Sequence, residues 1–585
     1  MDKYEILKHY FGYDSFREGQ ETLIDNLLSG RDVLGIMPTG AGKSLCYQVP
    51  ALMLSGITLV VSPLISLMKD QVSALVQHGI RAAYLNRSLN SAQYKKALQN
   101  ASQGMYKIIY VAPERLESSE FINFAHNAKI SMIAVDEAHC VSQWGQDFRK
   151  SYLNISRFVD SLVSRPIIGA FTATATKEVG EDIVRLLKLN DPMKLTTGFD
   201  RPNLFFSVIN PKDKDKQLMY LIDLRRGKSG IVYCSTRKKV EEVCDLLNAN
   251  GISATRYHAG LEDKERYENQ EDFVFDRKSV MVATNAFGMG IDKSDVRFVI
   301  HYNMPKNIEN YYQEAGRAGR DGGDADCILL YGKEDENVCR FFIYHSKPNE
   351  QMTPEEFKLF RKKEEERLRK MIAYCKTKTC LRNYMLDYFG DVHGGMCNNC
   401  ANCLQIKRRT SHSAERQKIK PLKRGSYAKP ASNYYDAELF KWLEVVRITY
   451  ARRRGVPAYT IFTDTDLMDM CRKMPVNRAE FLSVSGVSTR KYEQYGEGFM
   501  NVIREFRKSK FGVEADSKSQ KKISNQKKKS MENGFFGAYD QWTEEEISQL
   551  KNEFESGYSV AKMSKAHGRT ASAIRSKLKK EKLID

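Results

Sequence analysis

Acid is what this sequence is short of. Its 73 aspartates and glutamates face 92 lysines and arginines, leaving a formal net charge of +19. An excess of that size points to a polyanionic partner, and nucleic acid is the commonest one. An export signal is also missing: Met1-Asp-Lys-Tyr-Glu is charged where a signal needs an apolar core, so secretion is not expected. Nor is there a clean apolar span. Residues 44–68 carry no charge, but Pro50, Gly56, Pro63 and several hydroxyls interrupt them. They read as a buried helix followed by a strand at Ile57–Val61, so no membrane association is expected and the chain should be soluble and cytoplasmic. Disulfides are not expected either. Cysteines 46, 140, 234, 244, 327, 339 and 471 stand alone and read as reduced core thiols.

What is present begins with phosphate chemistry. Residues 35–44 read Gly-Ile-Met-Pro-Thr-Gly-Ala-Gly-Lys-Ser, and Asp136-Glu137-Ala138-His139 follows the apolar run 130–135. A phosphate tail needs several N–H donors at close range. Thr39, Gly40, Ala41 and Gly42 can supply them because glycine lets the backbone curl without Cβ clashes. Lys43 can then reach the β and γ phosphates, and the Ser44 hydroxyl can hold Mg²⁺. Asp136 would support the same ion, and Glu137 would polarise the attacking water. The loop departs from the strict G-x-x-x-x-G-K-[ST] pattern, because position 37 is Met.

Short β-branched runs alternate with helical stretches twice along the chain. Strands are expected near 33–36, 57–61, 108–111, 132–135 and 167–171, and again near 230–234, 254–257, 280–283, 298–301 and 326–330. Strands separated by ten to fifteen helical residues imply βαβ units and two parallel sheets. The charged helical stretch 355–370 precedes a cysteine cluster. Cys397, Cys400 and Cys403, with Cys380 or Cys375 upstream, make a four-thiolate set suited to Zn²⁺. An iron–sulfur cluster satisfies the same ligand count but ranks below zinc.

The ordered motifs resemble RecQ-family DNA helicases of superfamily 2 over residues 1 to about 404. Phe16, Arg17 and Gln20 match the element that reads adenine in ATP. Ser62–Asp70, Ala112–Leu116, Thr172–Thr176, Tyr233–Thr236, Ala283–Asp292 and Gln313–Arg320 match the remaining motifs in order. The resemblance implies two tandem RecA-like lobes, 1–198 and 199–340, then a small helical zinc module, 341–404, with Cys380 as the fourth ligand. It also implies 3′-to-5′ movement on single-stranded DNA. Arg317 and Arg320 are suited to stabilise charge on a departing γ-phosphate, with Arg320 preferred; backbone-phosphate binding is the alternative. Residues 139–149 resemble the family's aromatic-rich loop, in which Trp144 and Phe148 would stack on bases and Arg149 would hold a phosphate. A buried Trp144 in a lobe interface is the alternative.

Beyond the zinc module, 405–432 reads as a basic linker, far too short for the winged-helix domain of fuller family members. Residues 433–506 resemble the helical HRDC domain, 507–533 read as a second basic linker, and 534–585 look like a helix-turn-helix module. Arg569, Arg575, Lys577, Lys579 and Lys580 of that module could lie against a duplex, or its helices could dock on protein. The fold class is therefore α/β with all-α C-terminal domains. ATP, Mg²⁺ and Zn²⁺ are the expected cofactors. The expected partners are single-stranded and branched DNA, with single-strand-binding or recombination proteins, and the expected place is the nucleoid or chromosome. A duplex translocase, an RNA remodeller and a non-catalytic DNA scaffold are the competing readings.

Overall fold

Why the chain folds as it does is clearest in its central strands. Val33–Ile36, Ile57–Val61 and Ile108–Val111 are buried at every position, as strands covered on both faces of a parallel sheet must be. The computed structural model describes all residues except 145–147, 288–292, 347–352, 392–393, 413–434, 512–543, 557, 568, 582 and 585. Two compact units make up the chain, Met1–Gly425 and Ser426–Asp585.

In the first unit, β1 (Val33–Ile36), β2 (Ile57–Val61), β3 (Ala82–Leu85), β4 (Ile108–Val111), β5 (Ile130–Val135), β6 (Ile167–Thr172) and β7 (Met193–Thr196) form one sheet. Its order is β3-β4-β2-β5-β6-β1-β7. A second sheet holds β8 (Leu204–Ile209), β9 (Gly230–Tyr233), β10 (Ala254–Tyr257), β11 (Val280–Ala283), β12 (Phe298–His301) and β13 (Ala325–Leu330). Its order is β10-β11-β9-β12-β13-β8. Every pairing in both sheets is parallel. All strands of a sheet therefore release their loops at one edge, where ligands of such sheets bind.

Three strands lie outside the sequence expectation: β3, β7 and β8. All three are sheet edges. Their burial is partial, alternating along β7.

One apolar core joins both sheets to the zinc module. It runs from Leu34, Val135 and Ile168 through Ile231, Val299 and Tyr311 to Met371, Leu386 and Cys400. The module consists of helices Pro354–Lys376, Leu381–Tyr388 and Ala401–His412. The last of these continues into the stretch read as a basic linker, most of which falls outside the described residues.

In the second unit, helices Ala437–Arg454, Asp464–Lys473 and Glu497–Phe511 pack around Leu439, Leu443, Phe462, Leu467, Phe499 and Ile503. Three further helices, Glu544–Glu555, Val560–Ala566 and Ala571–Lys580, close around Leu550, Met563, Ile574 and Leu578. Trp542 and most of the second linker lie outside the described residues. Arg569 corrects the sequence reading. It is 1% exposed and its Nη2 donates to Glu546 Oε2 at 2.9 Å, so it is an internal cross-brace. Arg575, Lys579 and Lys580 remain exposed.

Candidate nucleotide site and zinc cluster

The phosphate loop follows β1. Gly40 (φ +84°) and Gly42 (φ +81°) take the left-handed conformation that other residues resist. Helix Lys43–Met53 then starts from Gly42 without any side-chain cap, leaving its first N–H groups for an anion. At Gly42 a Cβ would fall 2.5 Å from Gln20 Nε2. That amide donates to Ala41 O at 2.9 Å and Gly42 O at 3.1 Å, while Gln20 Oε1 accepts from Arg17 N at 2.9 Å. Arg17 Nη1 donates to Gly40 O at 2.6 Å. Two of the three residues expected to read adenine, Arg17 and Gln20, therefore brace the loop itself.

Lys43 Nζ donates to Met37 O at 3.2 Å. Burial lowers its pKa, and the carboxylates of Glu137 and Asp136 oppose that shift. Both acids thus act electrostatically on the lysine, while Ser44 sits half-buried on the first turn of its helix. Asp136 follows β5, where its Oδ1 accepts from Glu137 N at 3.0 Å and its carbonyl accepts from Tyr152 OH at 2.9 Å. Glu137 holds φ +47°, a conformation that costs a non-glycine residue about 1–3 kcal/mol and tends to mark functional sites.

A polar chain leads from this acid to the second lobe. Glu137 Oε2 lies 3.4 Å from His139 Nδ1, and that nitrogen is 2.8 Å from Thr172 Oγ1 at the end of β6. Thr172 Oγ1 donates to Thr174 O at 3.2 Å, and Gln313 Nε2 of the second lobe donates to Thr174 Oγ1 at 2.9 Å. Just beyond Gln313 stand Arg317 and Arg320. Arg317 is 7% exposed and interacts with Tyr233, while Arg320 acts electrostatically on Lys43. Both expected arginines thus lie on the second lobe, and the field of Arg320 reaches the phosphate-loop lysine.

Trp144 packs against a helix of the zinc module. Trp144 is half-buried, Lys363 Nζ stands 3.9 Å from its ring centroid, and Arg367 Nη2 donates to its carbonyl at 2.6 Å. Phe148 is half-buried, and Arg149 Nη1 donates to Pro63 O at 3.2 Å. Residues 145–147 and 288–292, inside two of the quoted motifs, lie outside the described residues.

Cys380, Cys397, Cys400 and Cys403 bring their sulfurs within 4.8 Å of one another. That spacing suits four thiolates around one tetrahedral Zn²⁺. Asn383 N and Asn399 N each donate to a cluster sulfur at 3.4 Å, those of Cys380 and Cys397. Cys375 is buried outside the cluster, beside Asp335, Cys339 and Glu336. The cluster is bonded to the second sheet: Cys400 pairs with Phe206 of β8. Arg382, on the intervening helix, donates from Nη1 to Arg201 O at 2.6 Å.

Sequence reasoning passed over Arg201. Its Nη1 donates to Thr39 O at 2.5 Å and Gly316 O at 3.3 Å, and its Nη2 donates to Ala318 O at 3.0 Å and Gly319 O at 2.8 Å. The segment Phe199-Asp-Arg-Pro-Asn203 carries no periodic or metal-spaced signal that could have marked it.

Comparison with known proteins agrees with this geometry. Family models match as DEAD/DEAH box helicase over residues 17–182, helicase conserved C-terminal domain over 213–322, RecQ zinc-binding over 333–404 and HRDC domain over 436–503. The ATP-dependent DNA helicase RecQ of Bacillus subtilis is 38% identical, covering 86% of this chain and 98% of the relative. The RecQ of Haemophilus influenzae is 35% identical, covering 86% of this chain and 95% of the relative. With the two parallel sheets, the phosphate loop and the four-cysteine cluster in place, the chain belongs to the RecQ family of superfamily 2 helicases.

Proposed function

We propose that this chain is an ATP-dependent DNA helicase that moves 3′ to 5′ on single-stranded DNA and unwinds duplex or branched DNA in recombination and repair. The observation that carries the reading is the split site. Lys43 and the acids Asp136 and Glu137 belong to one sheet, Arg317 and Arg320 to the other, and Gln313 bonds across to Thr174. In this reading Lys43 and the loop 39–42 bind the phosphates, and Ser44 and Asp136 hold Mg²⁺. Glu137 orients water, and Arg320 stabilises the transferring phosphoryl group with Arg317 beside it. Arg17 and Gln20 couple base recognition to the loop they brace. Cys380, Cys397, Cys400 and Cys403 hold a structural Zn²⁺. Trp144, Phe148 and Arg149 meet the single strand, and closure of the lobes once per ATP makes hydrolysis into movement. Such an enzyme works at the nucleoid or chromosome beside single-strand-binding or recombination proteins.

The test is strand displacement with ATP on duplexes carrying a 3′ or a 5′ single-stranded tail. Displacement only from the 3′-tailed duplex is expected. ATP turnover on DNA without displacement of either would turn the assignment to a translocase, and equal turnover with RNA would turn it to an RNA remodeller.

A further inference from the structure

Arg201 lies in the connector between the sheets, after β7 ends at Thr196 and before β8 starts at Leu204. Its planar fork donates to carbonyls of both lobes at once: Thr39 on the phosphate loop, and Gly316, Ala318 and Gly319 on the turn that carries Arg317 and Arg320. The approach to the loop is close. A Cβ at Gly40 would sit 3.0 Å from Arg201 Nη1 and press on it, so a larger residue there would push the guanidinium back. The connector is also held from both sides. Asn203 Nδ2 donates to Gly319 O at 2.9 Å and Gly323 O at 2.8 Å, and buried Arg382 of the zinc module donates to Arg201 O and pairs with Asp200. At its far end the arginine-bearing turn is pinned by Arg297, whose Nη1 donates to buried Asp321 Oδ1 at 2.9 Å.

We propose that Arg201 is a positioning residue for ATP turnover: a strut that couples the phosphate loop to the arginine-bearing turn, so that a shift of one is passed to the other. The proposal rests on the hydrolytic reading of the site. A triphosphate that fills the loop sets the position of Thr39, and with it that of the guanidinium bonded to Thr39 O. The fork then passes a shift of Thr39 O on to Ala318 O and Gly319 O. Loading of the first lobe is in this way transmitted to the arginines of the second. A lysine cannot do this, because its single nitrogen lacks a two-pronged planar geometry.

The experiment uses the full chain as wild type, Arg201→Ala and Arg201→Lys. Amide exchange without nucleotide is followed in peptides covering 37–46 and 313–323. Both peptides should exchange faster in Arg201→Ala, with zinc content and melting temperature unchanged. DNA-stimulated kcat should fall about 10- to 100-fold, the scale of a misplaced catalytic group. KM for ATP and affinity for a fluorescent ADP should stay near wild type, and Arg201→Lys should not restore kcat. Unchanged exchange in either peptide, rescue by lysine, wild-type kcat in Arg201→Ala, or a matching loss of nucleotide affinity would each overturn the strut. A wild-type chain with no DNA-stimulated turnover would instead sink the helicase reading, and the exchange measurement would still judge the strut.

Discussion

The two sheets contain the same strand–loop–helix unit, finished differently. After β1 the helix Lys43–Met53 starts from Gly42, which has no side chain to cap it. After β9 the helix Arg237–Ala249 starts from Thr236, whose hydroxyl accepts from Lys239 N at 3.2 Å. The first N–H groups of any helix lack partners within it. One lobe satisfies one of them with its own hydroxyl; the other has no side-chain cap. The left-handed glycines at 40 and 42 wrap the backbone around the same point. A binding site in one copy and a plain helix start in the other thus differ by a few residues on a shared frame. The second lobe instead brings Arg320 to act electrostatically on Lys43.

Four measurements can sharpen or break this division of labour. Arg320→Ala should lower DNA-stimulated ATP turnover most, by about 10³–10⁵, yet leave fluorescent-nucleotide affinity nearly unchanged. Lys43→Ala should lower turnover by about 10²–10³ or more and weaken nucleotide binding as well, while single-stranded DNA affinity survives. If Arg320→Ala weakens nucleotide binding as much as Lys43→Ala does, the lobes do not divide binding from chemistry.

The second lobe should depend on zinc more than its distance from the phosphates suggests, because Cys400 pairs with Phe206 of β8. Metal analysis should find one zinc per chain in wild type and in Cys375→Ser. Cys380→Ser should lose it and fold poorly, as structural zinc and folding are coupled. Zinc loss in Cys375→Ser would change the ligand set.

On the first lobe, Trp144→Ala should spare basal hydrolysis but cut stimulation by single-stranded DNA. Base–aromatic stacking is worth about 1–3 kcal/mol per base, so half-maximal stimulation should need about 5- to 150-fold more DNA. Unchanged stimulation would leave Trp144 as the packing partner of Lys363 and Arg367. The smallest effect belongs to Thr236→Ala. It should cost about 0.5–2 kcal/mol of stability, read as a lower melting temperature, without any second nucleotide site appearing in a binding titration. A second site there would show that the missing cap alone makes a phosphate loop.

Residue order alone determined a large part of this protein. The central strands were legible because burial on both faces demands unbroken β-branched runs, as in Ile108–Val111 and Phe298–His301. The phosphate loop and the cysteine set were legible because their chemistry needs particular residues at short, fixed spacing. Edge strands β3, β7 and β8 were not legible: β3 opens on two alanines, of low strand preference, and β7 alternates with exposed Lys194 and Thr196. Charge misled at Arg569: a basic residue near a basic helix reads as a surface contact, and only the packing shows it spent on Glu546. Tertiary structure alone brought Glu137, His139, Thr172, Thr174 and Gln313 into one chain of contacts. It also placed Arg201 between the lobes, more than a hundred residues along the chain from each loop it holds. A hydrogen bond to a backbone carbonyl asks nothing of the side chain at that position, so such a tie leaves no mark in the sequence of its acceptors.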